Sequence, residues 1–87
     1  MFNRNTVYAA IDSEREYQDR VWSENAPTDP RPLSIGKDIL LIEEYVTKAR
    51  LAWSKEMRPE LGALEQIRKI AGIAVRCMEN HGAPKRV

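Results

Sequence analysis

Apolar and polar positions alternate with a helical rhythm over most of this chain. From Ile35 onward the apolar residues Ile35, Ile39, Ile42, Val46, Ala49 and Trp53 are spaced 4-3-4-3-4, which places them on one face of a helix. Leu40 and Leu41 widen that stripe, so this helix is expected to pack on two sides. Ser34 just before it has a short side-chain oxygen suited to the free amides of a first turn, and Asp38 lies near the positive end of the helix dipole. The predicted helix spans 34–55.

A second stripe, Leu61, Leu64, Ile67, Ala71, Ala74 (or Val75) and Met78, predicts a helix over 59–81. Pro59 suits its first turn, where a missing N–H costs nothing, and Gly82 followed by Pro84 ends it. Ala71, Gly72 and Ala74 are small, so a partner helix can approach closely there. The stretch 6–25 contains no helix breaker. Tyr8, Ile11, Val21 and Trp22 recur there at near-helical spacing, with a polar gap at Glu14 and Arg15, which predicts a helix only partly facing a core. Asn5 or Thr6 is the expected cap. Pro27, Pro30 and Pro32 fall in the loop 26–33 that separates the first two helices, because prolines so close together break a helix. Residues 83–87 read as a basic tail.

No segment has the length and alternation of a strand, and no repeat is visible. The pattern therefore predicts an all-α fold, with one three-helix domain over 1–87. Apolar faces this broad exceed what a chain of 87 residues buries alone. A homo-oligomer, at least a dimer, is expected to complete the helical bundle.

Composition narrows the function. Lys and Arg total 14 against 13 Asp and Glu, a net charge of +1. That balance argues against a dedicated nucleic-acid binder, which carries a strong basic excess, but not against a small anionic ligand held by a few local cations. No apolar run approaches the roughly 20 residues of a membrane span, so no membrane partner is expected. A single cysteine, Cys77, permits no internal disulfide and fits a reducing compartment, with the cytoplasm expected. Cys77 and His81 are spaced i, i+4 as two metal ligands on a helix can be. With no second pair in the sequence, no metal site is expected, and Cys77 reads as a small buried residue. There is no glycine-rich phosphate loop, and no acid stands near to orient a thiol–imidazole pair.

Three segments carry a resemblance. They are Glu14-Arg15-Glu16-Tyr17-Gln18-Asp19-Arg20-Val21-Trp22, then Ile42-Glu43-Glu44, then Leu64 to Val75 with its run Ile70-Ala71-Gly72. Together they resemble small phage and bacterial members of the MazG-like, all-α nucleotide pyrophosphohydrolase family. The resemblance covers Asp12 to Glu79. It implies hydrolysis of a nucleoside triphosphate to the monophosphate and pyrophosphate, with magnesium held by convergent carboxylates at helical spacing. At most of the family's ligand positions this chain departs from that pattern. Glu44, with Glu43 beside it, stands for the first acid, but Thr47 follows three residues on. Aligning Ile70-Ala71-Gly72 with the family's small-residue run puts Gln66 and Lys69 at the last acidic places. A one-residue shift gives Glu65 and Arg68. Either way, negative charge is lost and positive charge gained, and a cation beside a divalent metal competes with it.

What the resemblance then implies is a catalytically degenerate protein that binds or sequesters a nucleotide or cyclic oligonucleotide, without a cofactor. In a phage setting such a protein captures a host nucleotide second messenger. Lys69 and Arg68 are the first candidates for phosphate, with Lys48 and Arg76 second. Glu44 is the candidate acceptor for a base or ribose, and Trp22, Trp53 and Tyr45 are the candidates for stacking. The alternatives are an active magnesium-dependent pyrophosphohydrolase using Glu43, Glu44 and Glu65, and a helical interaction protein that inhibits a host protein. The same residues also have plain readings. Glu65–Lys69 and Glu44–Lys48 are i, i+4 pairs of the kind that support exposed helices, and the tryptophans and tyrosines suit a core or an interface.

Overall fold

The first two helices each begin at a side-chain cap, and the third begins at a proline without one. A computed structural model describes residues 1–24, 31–55 and 57–87, with the backbone alone for 22–24. Three α-helices run Arg4–Glu24 (α1), Ile35–Lys55 (α2) and Pro59–His81 (α3). Among the described residues there is no strand, and none of the helices is long and apolar enough to cross a membrane.

The cap of α1 is neither Asn5 nor Thr6. Asn3 Oδ1 accepts from the Thr6 amide at 2.8 Å and from the Thr6 hydroxyl at 3.0 Å, so the helix starts at Arg4. Asn3 stands three residues before the amide it serves, the spacing a cap requires. Ser34 does cap α2, its Oγ accepting from the Lys37 amide at 3.1 Å. Pro59 opens α3 as the sequence predicts. Gly82, at φ +123°, ends it while donating its N–H to the Met78 carbonyl at 2.8 Å. Only glycine takes that φ without strain. Of the 26–33 loop, residues 26–30 lie outside the described residues, as does the Trp22 side chain.

α3 packs against both other helices, while α1 and α2 make no contact with each other among the described residues. The faces that meet coincide only in part with the apolar rhythm. On α2 the residues turned inward are Asp38, Leu41, Tyr45 and Ala52 together with the half-buried stripe residues Ile42 and Ala49, whereas Ile35, Ile39, Val46 and Trp53 are exposed. On α3 they are Ala63, Gln66, Ile70 and Ile73 together with half-buried Ala71, Ala74 and Val75, whereas Leu61, Leu64, Ile67 and Met78 are exposed. The larger residues of both stripes lie mostly outward. On α1 the contact runs through the polar gap itself. Glu14 is buried and Gln18 half-buried, flanked by half-buried Ile11 and Val21.

Gly72 explains why polar residues can lie there. A Cβ at Gly72 would stand 2.7 Å from Gln18 Nε2 and 2.9 Å from Glu14 Cγ. The missing side chain lets α1 lay two long polar residues across α3. The predicted close approach at the small-residue run is thus made by α1 of the same chain.

The apolar core is slender, with Ala52, Ala63 and Ile73 its buried hydrophobic residues. The accessible surface is 7274 Å² for 10.0 kDa, against about 5,200 Å² expected of a compact monomer of that mass. The radius of gyration, 14.2 Å, likewise exceeds the roughly 12 Å expected at this length.

Candidate functional site

Because α1 and α2 both lie on α3 without touching, a cleft opens between them. It is floored by α3, encloses about 790 Å³ and is open to solvent. Ser13, Glu14, Tyr17, Gln18 and Val21 form one wall, Leu41 and Tyr45 the other, and Arg68, Lys69, Ile73 and Arg76 the floor. The volume falls within the roughly 300–1,000 Å³ of small-molecule sites. Among the described residues the charged lining is three cations against one carboxylate.

Two of the three cations are tied to acids. Arg68 Nε donates to Glu14 Oε1 at 3.0 Å. Glu14 Oε2 accepts from Gln18 Nε2 at 3.2 Å, so the buried carboxylate links α1 to α3. Arg76 Nη2 donates to Asp38 Oδ1 at 2.8 Å, and Asp38 is fully buried. That bond ties α2 to α3.

Lys69 differs. Its Nζ lies 5.8 Å from the centre of the Tyr45 ring, and among the described residues no carboxylate stands within ion-pair distance of it. Lys48 Nζ approaches the same ring at 4.6 Å. Neither lysine makes the i, i+4 ion pair, with Glu65 or Glu44, that its spacing allows. Both ammonium groups lie near the Tyr45 face instead, where the ring quadrupole attracts them.

The sequence-predicted residues divide accordingly. Lys69, Arg68 and Arg76 come together on the floor, with Tyr45 beside them. Lys48 reaches the site only through Tyr45. Glu44 is exposed and does not line the cleft, and neither does Trp53, which is 59% exposed on α2. Trp22 lies outside the described side chains. Glu43 and Glu65 are exposed and also absent from the lining, and the Thr47 hydroxyl is turned back to the Glu43 carbonyl at 3.2 Å. Glu14 and Gln18 are the wall residues that reasoning from apolar rhythm misses. Their signal is the 3-4-3 spacing of Ile11, Glu14, Gln18 and Val21, a helix face with a polar middle.

No family model, curated protein or solved structure matches the chain.

A second, smaller hollow of about 390 Å³ lies on the other side of Arg76, lined in part by Arg15, Asp19, Arg31 and Glu79. Arg15 donates from Nε to Glu79 at 2.8 Å and from Nη2 to Asp19 at 2.9 Å. Burial alone would lower its pKa, but those two carboxylates more than offset it and the value is raised. Arg15 is thereby a strut between α1 and the end of α3.

Proposed function

We propose that this chain binds a nucleotide in the cleft between α1 and α2 and holds it without turnover, as a degenerate relative of the MazG-like pyrophosphohydrolases. The observation that carries this reading is Lys69, a half-buried cation on the cleft floor with no carboxylate partner among the described residues, set beside the Tyr45 ring. A phosphate is the complement of the first and a base of the second. Base–aromatic stacking contributes about 1–3 kcal/mol. Arg68 and Arg76 are near enough to join through exchange of a carboxylate for a phosphate, a swap that suits the planar guanidinium. Binding without hydrolysis is favoured over the magnesium enzyme because Glu14, the one cleft carboxylate among the described residues, is already engaged by Arg68 and Gln18. Self-association belongs to the same proposal, since the exposed apolar stripes of α2 and α3 share no residue with the cleft lining.

The test is a panel of nucleoside triphosphates and cyclic di- and trinucleotides, each incubated with and without magnesium. The protein is then filtered and heat-denatured, and both fractions are read by chromatography. The expected result is an unchanged nucleotide released on heating, retained equally without magnesium, and lost at least tenfold in Lys69→Ala. Magnesium-dependent pyrophosphate would replace this reading with the enzyme. Retention of nothing would favour a protein partner.

A further inference from the structure

One cluster lies apart from the cleft wall and uses residues that the proposed function leaves idle. Asp38 on the first turns of α2, Cys77 near the end of α3 and His81 one turn later bring three donor atoms together. A carboxylate oxygen, the thiol sulfur and a ring nitrogen all lie within 4.8 Å of one another. Cys77 and His81 are i, i+4 on one helix face; Asp38 is the third ligand that the sequence could not supply.

A second observation points into the same place. Asp38 is fully buried, and only one of its oxygens is satisfied: Oδ1 receives Arg76, while Oδ2 has no hydrogen-bond partner. Leaving a buried acceptor unpaired costs about 1–3 kcal/mol, so a group that fills the position stabilises the fold. The Cys77 thiol stands beside this carboxylate, and while protonated it supplies at most a weak S–H donor.

We infer that Asp38, Cys77 and His81 form a binding site for a zinc ion, clamping the start of α2 to the end of α3. The donor set is one oxygen, one sulfur and one nitrogen. That excludes magnesium and calcium, which take all-oxygen shells, and suits a borderline-soft cation. Tetrahedral bonds of about 2.0–2.3 Å put ligand atoms roughly 3.3–3.6 Å apart, so side-chain shifts of about an ångström close the site.

His81 already has the outer-shell contact such a ligand needs. Its Nε2–H donates to the Leu33 carbonyl at 2.8 Å, which fixes the neutral tautomer and leaves the lone pair on Nδ1. Arg76 does not forbid the ion. Asp38 and the Cys77 thiolate bring two negative charges, and the carboxylate bridges guanidinium and metal through separate oxygens. Binding releases the thiol proton to solvent as the sulfur–zinc bond forms. Three protein ligands leave the fourth position to water.

The experiment adds cobalt(II), as a spectroscopic stand-in, and then zinc to the metal-free full chain under reducing conditions. The expected result is one equivalent bound, with intense near-ultraviolet thiolate-to-cobalt absorption and the visible bands of a four-coordinate ion, both bleached by zinc. Cys77→Ser removes the thiolate band. His81→Gln, at an exposed position, weakens zinc binding by more than the roughly 10–100-fold typical of losing an outer-shell partner, while leaving the far-ultraviolet dichroism of the apo protein unchanged. Asp38→Asn is read only if it folds. A cobalt spectrum of the hydrated ion, or zinc affinity unchanged in His81→Gln, would overturn the assignment.

Discussion

Glu14 engages the Arg68 guanidinium on the cleft floor, and removing its charge should therefore move stability and binding in opposite directions. The perturbation is Glu14→Gln, which keeps the shape and one carbonyl acceptor. In the parent protein, Glu14 has a 5% exposed side chain and accepts from Arg68 Nε at 3.0 Å and Gln18 Nε2 at 3.2 Å. A hydrogen bond to a charged partner contributes about 1.5–3 kcal/mol and a neutral one about 0.5–1.5. Arg68 is 40% exposed and can turn to solvent, so the loss does not reach that of a stranded buried ion. The new amide also sets an N–H against Gln18 Nε2, which cannot flip without giving up its bond from Arg15 Nη1 at 3.2 Å. A net cost of about 1–2 kcal/mol follows, a Tm lower by about 5–15 °C for a domain of this size.

The binding side has the other sign. A carboxylate about 7 Å from a bound phosphate, at an effective dielectric of about 40, repels it by about 1 kcal/mol. Removing that repulsion and releasing Arg68 should tighten binding about five- to tenfold. Thermal and urea unfolding read the first effect. Isothermal titration with the retained nucleotide, and with pyrophosphate as a base-free control, reads the second. A Glu14→Gln protein that is destabilised but binds no more tightly than the parent would refute the claim that the floor cations receive phosphate.

Three further outcomes are expected. Gly72→Ala should lose about 1 kcal/mol in urea unfolding despite a helix-propensity gain of similar size, because its Cβ meets Glu14 Cγ at 2.9 Å. Gly36→Ala, with only Ser34 Oγ at 4.0 Å, should instead gain a few tenths of a kcal/mol, and equal signs would undo the packing argument. In metal-free protein, the Cys77 thiol is held above 9.0, so the folded chain keeps that proton where the unfolded chain has lost it. The contribution is complete below pH 9 and disappears as pH rises through the folded value. Cys77→Ser should flatten this alkaline loss of stability, and iodoacetamide labelling of the parent should have its midpoint above pH 9.0; a midpoint at or below it contradicts the assignment. Ile39→Lys combined with Ile67→Lys, both at half-exposed apolar positions, should reduce an associated species toward 10.0 kDa in sedimentation. A parent already at that mass removes self-association from the proposal.

The helices were legible in the sequence because capping and breaking are local chemistry. Ser34, Pro59 and Gly82 mark their boundaries with groups that act within one turn. The rotation of each helix about its axis was not legible in the same way. An apolar stripe states which face avoids water, not what covers it. On α2 and α3 the larger stripe residues are mostly left outward, while Ile42, Ala49, Ala71 and Ala74 turn inward beside Asp38, Tyr45, Gln66 and Arg76. The polar gap of α1 is a contact for a reason that lies elsewhere in the chain, at Gly72. Of the site, Arg68 and Arg76 were legible as cations eight residues apart on one side of a helix. Asp38 was not, because its partners Arg76 and Cys77 are brought to it only by the packing of α2 on α3.

That division has a consequence for how the molecule is organised. The residues that tie the helices together are ion pairs and one glycine contact rather than a large apolar core: Glu14–Arg68 and Arg15–Glu79 join α1 to α3, and Asp38–Arg76 joins α2 to α3. Pairs with a buried member, as Glu14 and Asp38 are here, add little net stability but tolerate few alternative arrangements, since a misplaced partner leaves that charge unpaired. They fix the angle at which α1 and α2 diverge from α3, and that divergence is the cleft. Apolar residues, freed from this task, remain on the outer faces of α2 and α3, none of them among the cleft residues. Under the proposed function a ligand would enter between α1 and α2 without meeting the outer faces, and Glu14–Arg68 and Asp38–Arg76 hold the two arginines on the cleft floor.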